Sequence, residues 1–353
     1  MSKPFLSDGT EYIRKKIDEA IEDGSREARI CGNFEITDAI SIPSNFKLIL
    51  DGCHLRLADG VYSNVFVNES HGTELGKTPL GRDKGISIIG VGKAILDGGK
   101  YNGLSERNAS KDGRPPIWKN NLILFTNVED FRIENISCVN QRWWAINLLY
   151  CSHGYLGGIH FEASDIGIDE NGKEYHGLIR DRYDEVLVKN ADGIDLRQGC
   201  HDITIENITG FTEDDTIALT GLNGTLEKEF KVEDLPSDIS NVTIRNIKSS
   251  AFCTIVRLLN QGDIRLHDIV IDGVYDTGLE STFMDHGLYA VRIGDTRLYG
   301  ERHSTSDETY NITVKNVWGG GDYVLSLAGS IKNLMLENIN ALNNTVLLLD
   351  ERI

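Results

Sequence analysis

The chain has little of what would tie it to a disulfide scaffold, a membrane or a nucleic acid. Its six cysteines (Cys31, Cys53, Cys138, Cys151, Cys200 and Cys253) are scattered and none forms a CxxC pair. Neither a disulfide framework nor a zinc site is expected; buried free thiols are. The N-terminus, Met-Ser-Lys-Pro-Phe-Leu-Ser-Asp, has no apolar leader, and no later run is long enough to cross a bilayer. This predicts a soluble, cytoplasmic protein, or a secreted one if a leader has been removed. Basic residues are the minority: 36 Lys and Arg against 54 Asp and Glu give a formal charge of −18. Such a chain is a poor partner for DNA, RNA or an anionic membrane, and exerts no long-range pull on a polyanionic substrate. Proline is scarce at 6 while glycine reaches 36, with 40% hydrophobic residues, the balance of a turn-rich globular protein. No phosphate loop, nucleophile elbow or metal-ligand cluster is visible, and no cofactor is expected.

Helical periodicity is confined to the start. Ile13, Ile17 and Ile21 recur at helical spacing with charges on the other faces. A short capping helix is predicted over 8–24, with Asp8 or Thr10 as N-cap. From residue 28 onward there are only short apolar runs separated by Gly, Asn, Asp and Ser. These runs repeat. One type reads Phe131-Arg-Ile-Glu-Asn-Ile136, Ile203-Thr-Ile-Glu-Asn-Ile208, Val242-Thr-Ile-Arg-Asn-Ile247, Ile312-Thr-Val-Lys-Asn-Val317 and Leu334-Met-Leu-Glu-Asn-Ile339, with Ile264 to Ile269 as a variant. Asn135, Asn207, Asn246, Asn316 and Asn338 share one place and predict a stacked Asn ladder. A second row holds Asn121–Phe125, Trp144–Leu148, Asp192–Leu196, Asp215–Leu219, Thr254–Leu258, Tyr289–Ile293, Tyr323–Leu327 and Thr345–Leu349. Asn316 to Asn338 and Leu327 to Leu349 are each 22 residues apart. That is too short for a strand–helix–strand unit, and shorter than the roughly 40–50 residues of a propeller blade. The expected fold is all-β, a single-stranded right-handed parallel β-helix forming one domain over 1–353. The coils begin at residue 28, and insertions are expected near 165–183, 221–237 and 294–308.

Asp192-Gly-Ile-Asp-Leu196 lies over Asp215-Thr-Ile-Ala-Leu219 at an offset of 23 residues without a gap. One turn of the solenoid then carries Asp192 onto Asp215, roughly 4.8 Å away on the neighbouring strand, with Asp214 beside both. Carboxylates so crowded repel, and at least one holds its proton above the usual range. One protonated acid beside ionised partners is what glycosidic bond cleavage requires. In the second row the third and fifth residues should point inward and the fourth outward: Asn147, Asp195, Ala218, Arg257, Arg292 and Ser326. The first place (Trp144, Asp192, Asp215, Thr254) shares the inward parity, so its acids reach the surface only from the turn before the pleat. Asp195 alone reads as a turn or hydrogen-bonding residue. Asn190 reads as a turn residue or a ligand for a sugar hydroxyl. Trp143 or Trp144 can stack a sugar ring while the other sits in the core, and His176 lies in the long insertion.

Asn190-Ala-Asp192-Gly-Ile-Asp, Asp214-Asp215 and Arg292-Ile293, with upstream segments such as Ile42 to Gly52 and Gln141 to Ile146, resemble the ordered motifs of the family 28 glycoside hydrolases, the polygalacturonases and rhamnogalacturonases. The resemblance runs from about residue 40 to 300. It implies an inverting hydrolase in which Asp214 is the general acid and Asp192 with Asp215 positions and deprotonates water. Arg292 would bind the substrate carboxylate or nearby oxygens; Asn147, Asn190 and Trp143 are substrate-binding candidates from their places in the repeat. The departures are specific: no histidine lies near Ala251 to Thr254, Gly294 replaces the lysine of Arg-Ile-Lys, Glu213 the glycine before the paired acids, and Ala191 a threonine. Losing the histidine and lysine argues against unmodified polygalacturonan, and Arg257 is expected as a replacement cation. A pectin-like or related plant polysaccharide or oligosaccharide is the expected substrate. The rival readings are a β-helix lyase, epimerase or fructotransferase, and a carbohydrate-binding β-helix without activity.

Overall fold

In the strand His201–Thr212, Ile203 and Ile205 are buried while Thr204 and Glu206 turn outward, as alternation requires. The alternation then slips, and Ile208 is buried next. The cause is Asn207, whose φ of 58° puts it in the left-handed region and bends the strand. Asn135, Asn246, Asn316 and Asn338 do the same, with φ between 52° and 57°. Asn enters this region more readily than other side chains that carry a Cβ, because its short amide bonds locally. The bends stack: Asn338 Nδ2 donates to Asn316 Oδ1 at 2.8 Å, and Asn316 Nδ2 to Asp272 Oδ1 at 2.7 Å.

One unit differs from the sequence alignment. Pairing of Val242 with Ile269 and Arg245 with Asp272 puts Gly273, not Asp268, in the Asn place. Gly273 has φ of 86°, so a glycine fills the bend where no Cβ is strained. Asp268 instead belongs to a second ladder, in which Asn311 donates to Asp268 and Asn333 to Asn311, both at 2.9 Å. A Cβ on Gly273 would meet only Asn246, at 3.4 Å. Gly273→Asn is therefore expected to leave the urea midpoint unchanged or slightly higher, whereas Gly273→Val costs about 1–2 kcal/mol.

The computed structural model describes residues 4–100, 118–163, 166–169, 171–176, 186, 191–261, 264–278, 287–295 and 303–353. Their strands form a 13-stranded and a 10-stranded sheet in which all pairings are parallel, and a small antiparallel pair of Ile166–Ile168 with Glu174–His176. Each coil contributes to both sheets, and the Ile, Leu and Val side chains between them make one continuous apolar core. The molecule is a right-handed parallel β-helix. Helix Gly9–Glu22 covers the first coil, burying Ile13, Ile17 and Ala20 with Ala28, Ile30 and Phe34. Asp8 takes the N-cap place without a side-chain bond, and Thr10 Oγ1 instead accepts the Thr37 N–H at 2.9 Å. No helix among the described residues is long and apolar enough to cross a membrane.

The register in the ten-stranded sheet matches the row read from the sequence: Asn147, Asp195, Ala218, Arg257, Arg292 and Ser326 pair in succession. The last strand departs, since Leu327 pairs with Asp350 rather than Leu349. On this last coil Met335, Leu347 and Val346 are 58%, 48% and 51% exposed. First-place residues do not point inward. Ala145 and Ile146, Ile255 and Val256, and Ala290 and Val291 are all core, so the second and third places both face in. Trp144 lies in a separate cluster on the outer side of the sheet. The strand begins in a turn, Trp143 having φ of 50°, and the first place is thereby carried outward.

Candidate active site

Asp192 and Asp215 come together as their 23-residue spacing predicts. Ile194 pairs with Ile217, and Gly193 N–H donates to the Asp215 carbonyl at 2.9 Å. The Asp215 backbone N–H in turn donates to Asp192 Oδ1 at 3.0 Å. Asp214 and Asp215 are half-buried in the turn before the Ile217–Gly221 strand, while Asp192 is buried. Burial raises the Asp192 carboxyl well above its ordinary range, and Asp195, Asp214 and Asp215 push it further. Asp215 is raised well above normal by burial and by Asp214, with Arg257 opposing. Asp214 is raised by burial, but Cys253, Arg257 and Arg292 all draw it back. Asp195 is pushed up to about 6 by burial, against the pull of Arg197. The cluster holds protons that isolated aspartates would have lost.

Cys253 stands beside these acids, in the Ala251 to Thr254 segment near which a histidine was expected and none lies. It is half-buried rather than core, and its thiol is raised well above normal by burial and by Asp214. One ligand atom each from Asp214, Asp215 and Cys253 lies within 4.8 Å of the others, a grouping that could hold a metal ion and that the sequence did not disclose. Cys31, too, is exposed rather than buried.

The two arginines differ. Arg257 is 4% exposed, donates Nη1 to the Gly294 carbonyl at 2.6 Å and Nη2 to Asp295, and so is held within the protein rather than offered as a replacement cation. Arg292 keeps 18% of its side chain exposed, 3.8 Å from Asp295 and with its guanidinium 4.9 Å from the centre of the Tyr289 ring. Asp295, buried and adjoining both, escaped notice because it begins a charged loop.

Two further expectations are corrected. Trp143 and Trp144 are both buried, in a cluster with Val67, Leu124, Leu226 and Phe230 on the outside of the sheet. The insertion 221–237 folds back over them, and the Arg197 guanidinium lies 4.0 Å from the centre of the Trp144 ring. Neither indole offers a free face to a sugar. Asn147 is enclosed too, at 0% exposure. Arg197, overlooked in the sequence, bridges Asp195 at 3.3 Å and Glu227 at 2.6 Å, the latter on the insertion's short helix Thr225–Glu229. Glu213 is buried at 1% exposure and feels Arg142 instead of joining the accessible acids. Asn190, the His176 side chain, and parts of the insertions near 165–183 and 294–308 lie outside the described residues.

Solved structures with this fold include the tailspike of E. coli bacteriophage HK620 in complex with a hexasaccharide, at 12% identity and a TM-score of 0.57. That match covers 100% of this chain and 62% of the tailspike chain, so this protein spans less than two thirds of its length. A 1,3-α-1,4-β-D-galactose-4-sulfate-3,6-anhydro-D-galactose-2-sulfate 4-galactohydrolase matches at 11% identity and a TM-score of 0.57, covering 99% of this chain and 88% of that one. A polygalacturonase from Erwinia carotovora ssp. carotovora matches at 15% identity and a TM-score of 0.50, covering 99% and 95%. At these identities the likeness is one of fold. No curated protein matches by sequence. The model of the glycosyl hydrolases family 28 matches residues 31–230, more than half of the chain and the whole span from the first coils through Asp192, Asp214 and Asp215, and the protein belongs to that family.

Proposed function

We propose that this family 28 glycosyl hydrolase cleaves a glycosidic bond in a pectin-like or related plant polysaccharide or oligosaccharide, with inversion at the anomeric carbon. The observation that carries the reading is the juxtaposition of Asp192 and Asp215 on adjacent strands, with Asp214 in the turn beside them. Following the family motif, Asp214 delivers the proton to the leaving oxygen, while Asp192 and Asp215 hold the attacking water. Without substrate the cluster keeps its protons chiefly on Asp192 and Asp215, so binding must draw one across to Asp214. Asp214 and Asp215 approach within 4.8 Å, closer than the roughly 6.5–9.5 Å that an inverting acid and base span. We assign the base to Asp192, one strand away, and the orienting of the water to Asp215. Arg292, the accessible guanidinium, takes a carboxylate or paired hydroxyls of the substrate. The pinning of Arg257 leaves a uronate-rich polymer with fewer free cations than the family motifs supply, and favours partly neutral or rhamnose-containing chains.

The test is a screen of uronic, rhamnose-containing and neutral oligosaccharides, with the anomer of the fresh product read by NMR. An inverted product is expected, and Asp214→Asn should lower kcat by roughly 10²–10⁴-fold with an unchanged circular dichroism spectrum. Full activity in that variant removes Asp214 from the mechanism. An unsaturated product absorbing in the ultraviolet replaces hydrolysis with elimination, and tight binding with no product after long incubation leaves a binding protein.

A further inference from the structure

The outer side of the ten-stranded sheet carries two rows, the first and fourth places of each strand. In the fourth, Asn147, Asp195, Ala218, Arg257 and Ser326 are all buried, leaving Arg292. In the first, Trp144, Asp192 and Thr254 are buried, whereas Asp215, Tyr289 and Tyr323 are half-buried and Val346 is exposed. Past Thr254 the way is kept by the half-buried turn residues Phe252, Cys253, Gly287 and Leu288. Among the described residues, access to the acids therefore opens toward the last coils and stops at Trp144. The stop is built. Leu226, Phe230 and Val232 of the insertion pack on Trp144, and Glu227 grips Arg197 at 2.6 Å. On the open side Tyr289 and Tyr323 pair across neighbouring strands, their rings 5.7 Å apart and 16° from parallel. Arg292 lies against Tyr289 at 4.9 Å. Stacked in this way, the two phenols lose little rotamer freedom when a ligand meets their edges and hydroxyls.

We infer that the cleft is blind at Trp144 and continues over the Tyr289–Tyr323 pair, so that the protein takes a carbohydrate by one chain end and releases one or two sugar units at a time. The inference rests on the glycosidase reading and adds the position of the cut. A strand step of roughly 4.8 Å is close to the advance of one sugar unit along a chain. Trp144 lies beside Asp192 and two strands before Asp215, which leaves room for one or two units between the wall and the Asp214–Asp215 turn. Tyr289 and Tyr323 lie two and three strands beyond Asp215, where the rest of the chain extends. A groove for internal cutting would need outward positions accessible on both sides of the acids.

The probes are hexagalacturonate and a rhamnogalacturonan hexasaccharide, each untreated, borohydride-reduced at the reducing end, and capped at the non-reducing end. Products are followed by anion-exchange chromatography. The expected result is a mono- or disaccharide with stepwise shortening of the remainder, lost when one end is blocked. Early tri- and tetrasaccharides, or cleavage that ignores both blocks, overturn the inference and leave the hydrolase reading standing. Failure to cut any probe counts against the hydrolase reading, and binding then decides the shape of the cleft. In the Asp214→Asn background, Tyr323→Ala is expected to weaken hexasaccharide binding about tenfold by calorimetry while disaccharide affinity stays within twofold. If Tyr323→Ala does not fold, Tyr323→Phe, which keeps the stack and removes only the hydroxyl, is expected to weaken hexasaccharide binding about threefold with disaccharide affinity unchanged. Unchanged hexasaccharide affinity, or no binding of either hexasaccharide, overturns the inference.

Discussion

Asp192→Asn is expected to lower kcat by roughly 10³-fold and at the same time to stabilise the protein at pH 7. The Asp192 carboxyl is raised first by burial and then by Asp195, Asp214 and Asp215. The folded state therefore binds a proton that the unfolded state has released, and stability falls as pH rises above about 4, the ordinary aspartate value. Asparagine removes that titration. Its Oδ1 still accepts the Asp215 N–H, now at 3.0 Å from Asp192, and its amide gives the neighbouring carboxylates a donor. The difference between variant and parent should be near zero at pH 4 and grow to about 1–2 kcal/mol at pH 7, read from urea midpoints. A variant less stable than the parent at pH 7 would show that the crowding is compensated. The same shift governs turnover. Asp192 must be ionised to take a proton from water, so the acid limb of kcat/KM should lie above the ordinary carboxylate range.

What was legible in the sequence was what the repeat dictates locally. The 23-residue offset of Asp192 and Asp215 survives because no insertion falls between their strands, and the outward row from Asn147 to Ser326 survives because backbone pairing conserves side-chain parity from coil to coil. Three kinds of feature were not legible. Left-handed bends accept Asn, Asp or Gly alike, so Asp268 and Gly273 could not be told apart without the register. Turn geometry at Trp143 reverses the direction of the first place, which alternation alone assigns inward. Cover is set by segments remote in sequence: the insertion that buries Trp144, and Asp295, 38 residues from the Arg257 it holds. Tyr289 and Tyr323 did occupy one place in the repeat, and an aromatic recurring on adjacent outward positions is a signal that sequence reading can use.

Glu227→Ala is expected to cost about 3–5 kcal/mol, far more than an ordinary helix residue, because it strands a buried guanidinium. Both Glu227 oxygens are occupied, Oε1 by Arg197 at 2.6 Å and Oε2 by the Gly224 N–H at 2.9 Å. Arg197 is 4% exposed and would keep only Asp195, at 3.3 Å, as a carboxylate partner. The loss should first appear locally, as protease cleavage within 221–237 at urea concentrations where the coils are still intact. Arg197→Met combined with Glu227→Leu and Asp195→Asn should be less destabilising than Glu227→Ala alone, since an apolar pair facing Trp144 needs no charge compensation and the amide leaves no carboxylate without its guanidinium. If the triple variant is the worse of the two, the buried Asp195–Arg197–Glu227 set contributes more than its desolvation costs. The consequence for the site follows from the same contact. Arg197 touches Asp195, and Asp195 is hydrogen-bonded to Asp192, so a loosened insertion exposes the wall of the cleft and the base together. Glu227→Ala should therefore lower kcat and also release fragments longer than a disaccharide, whereas a purely structural latch would change the amount of folded protein without altering product length.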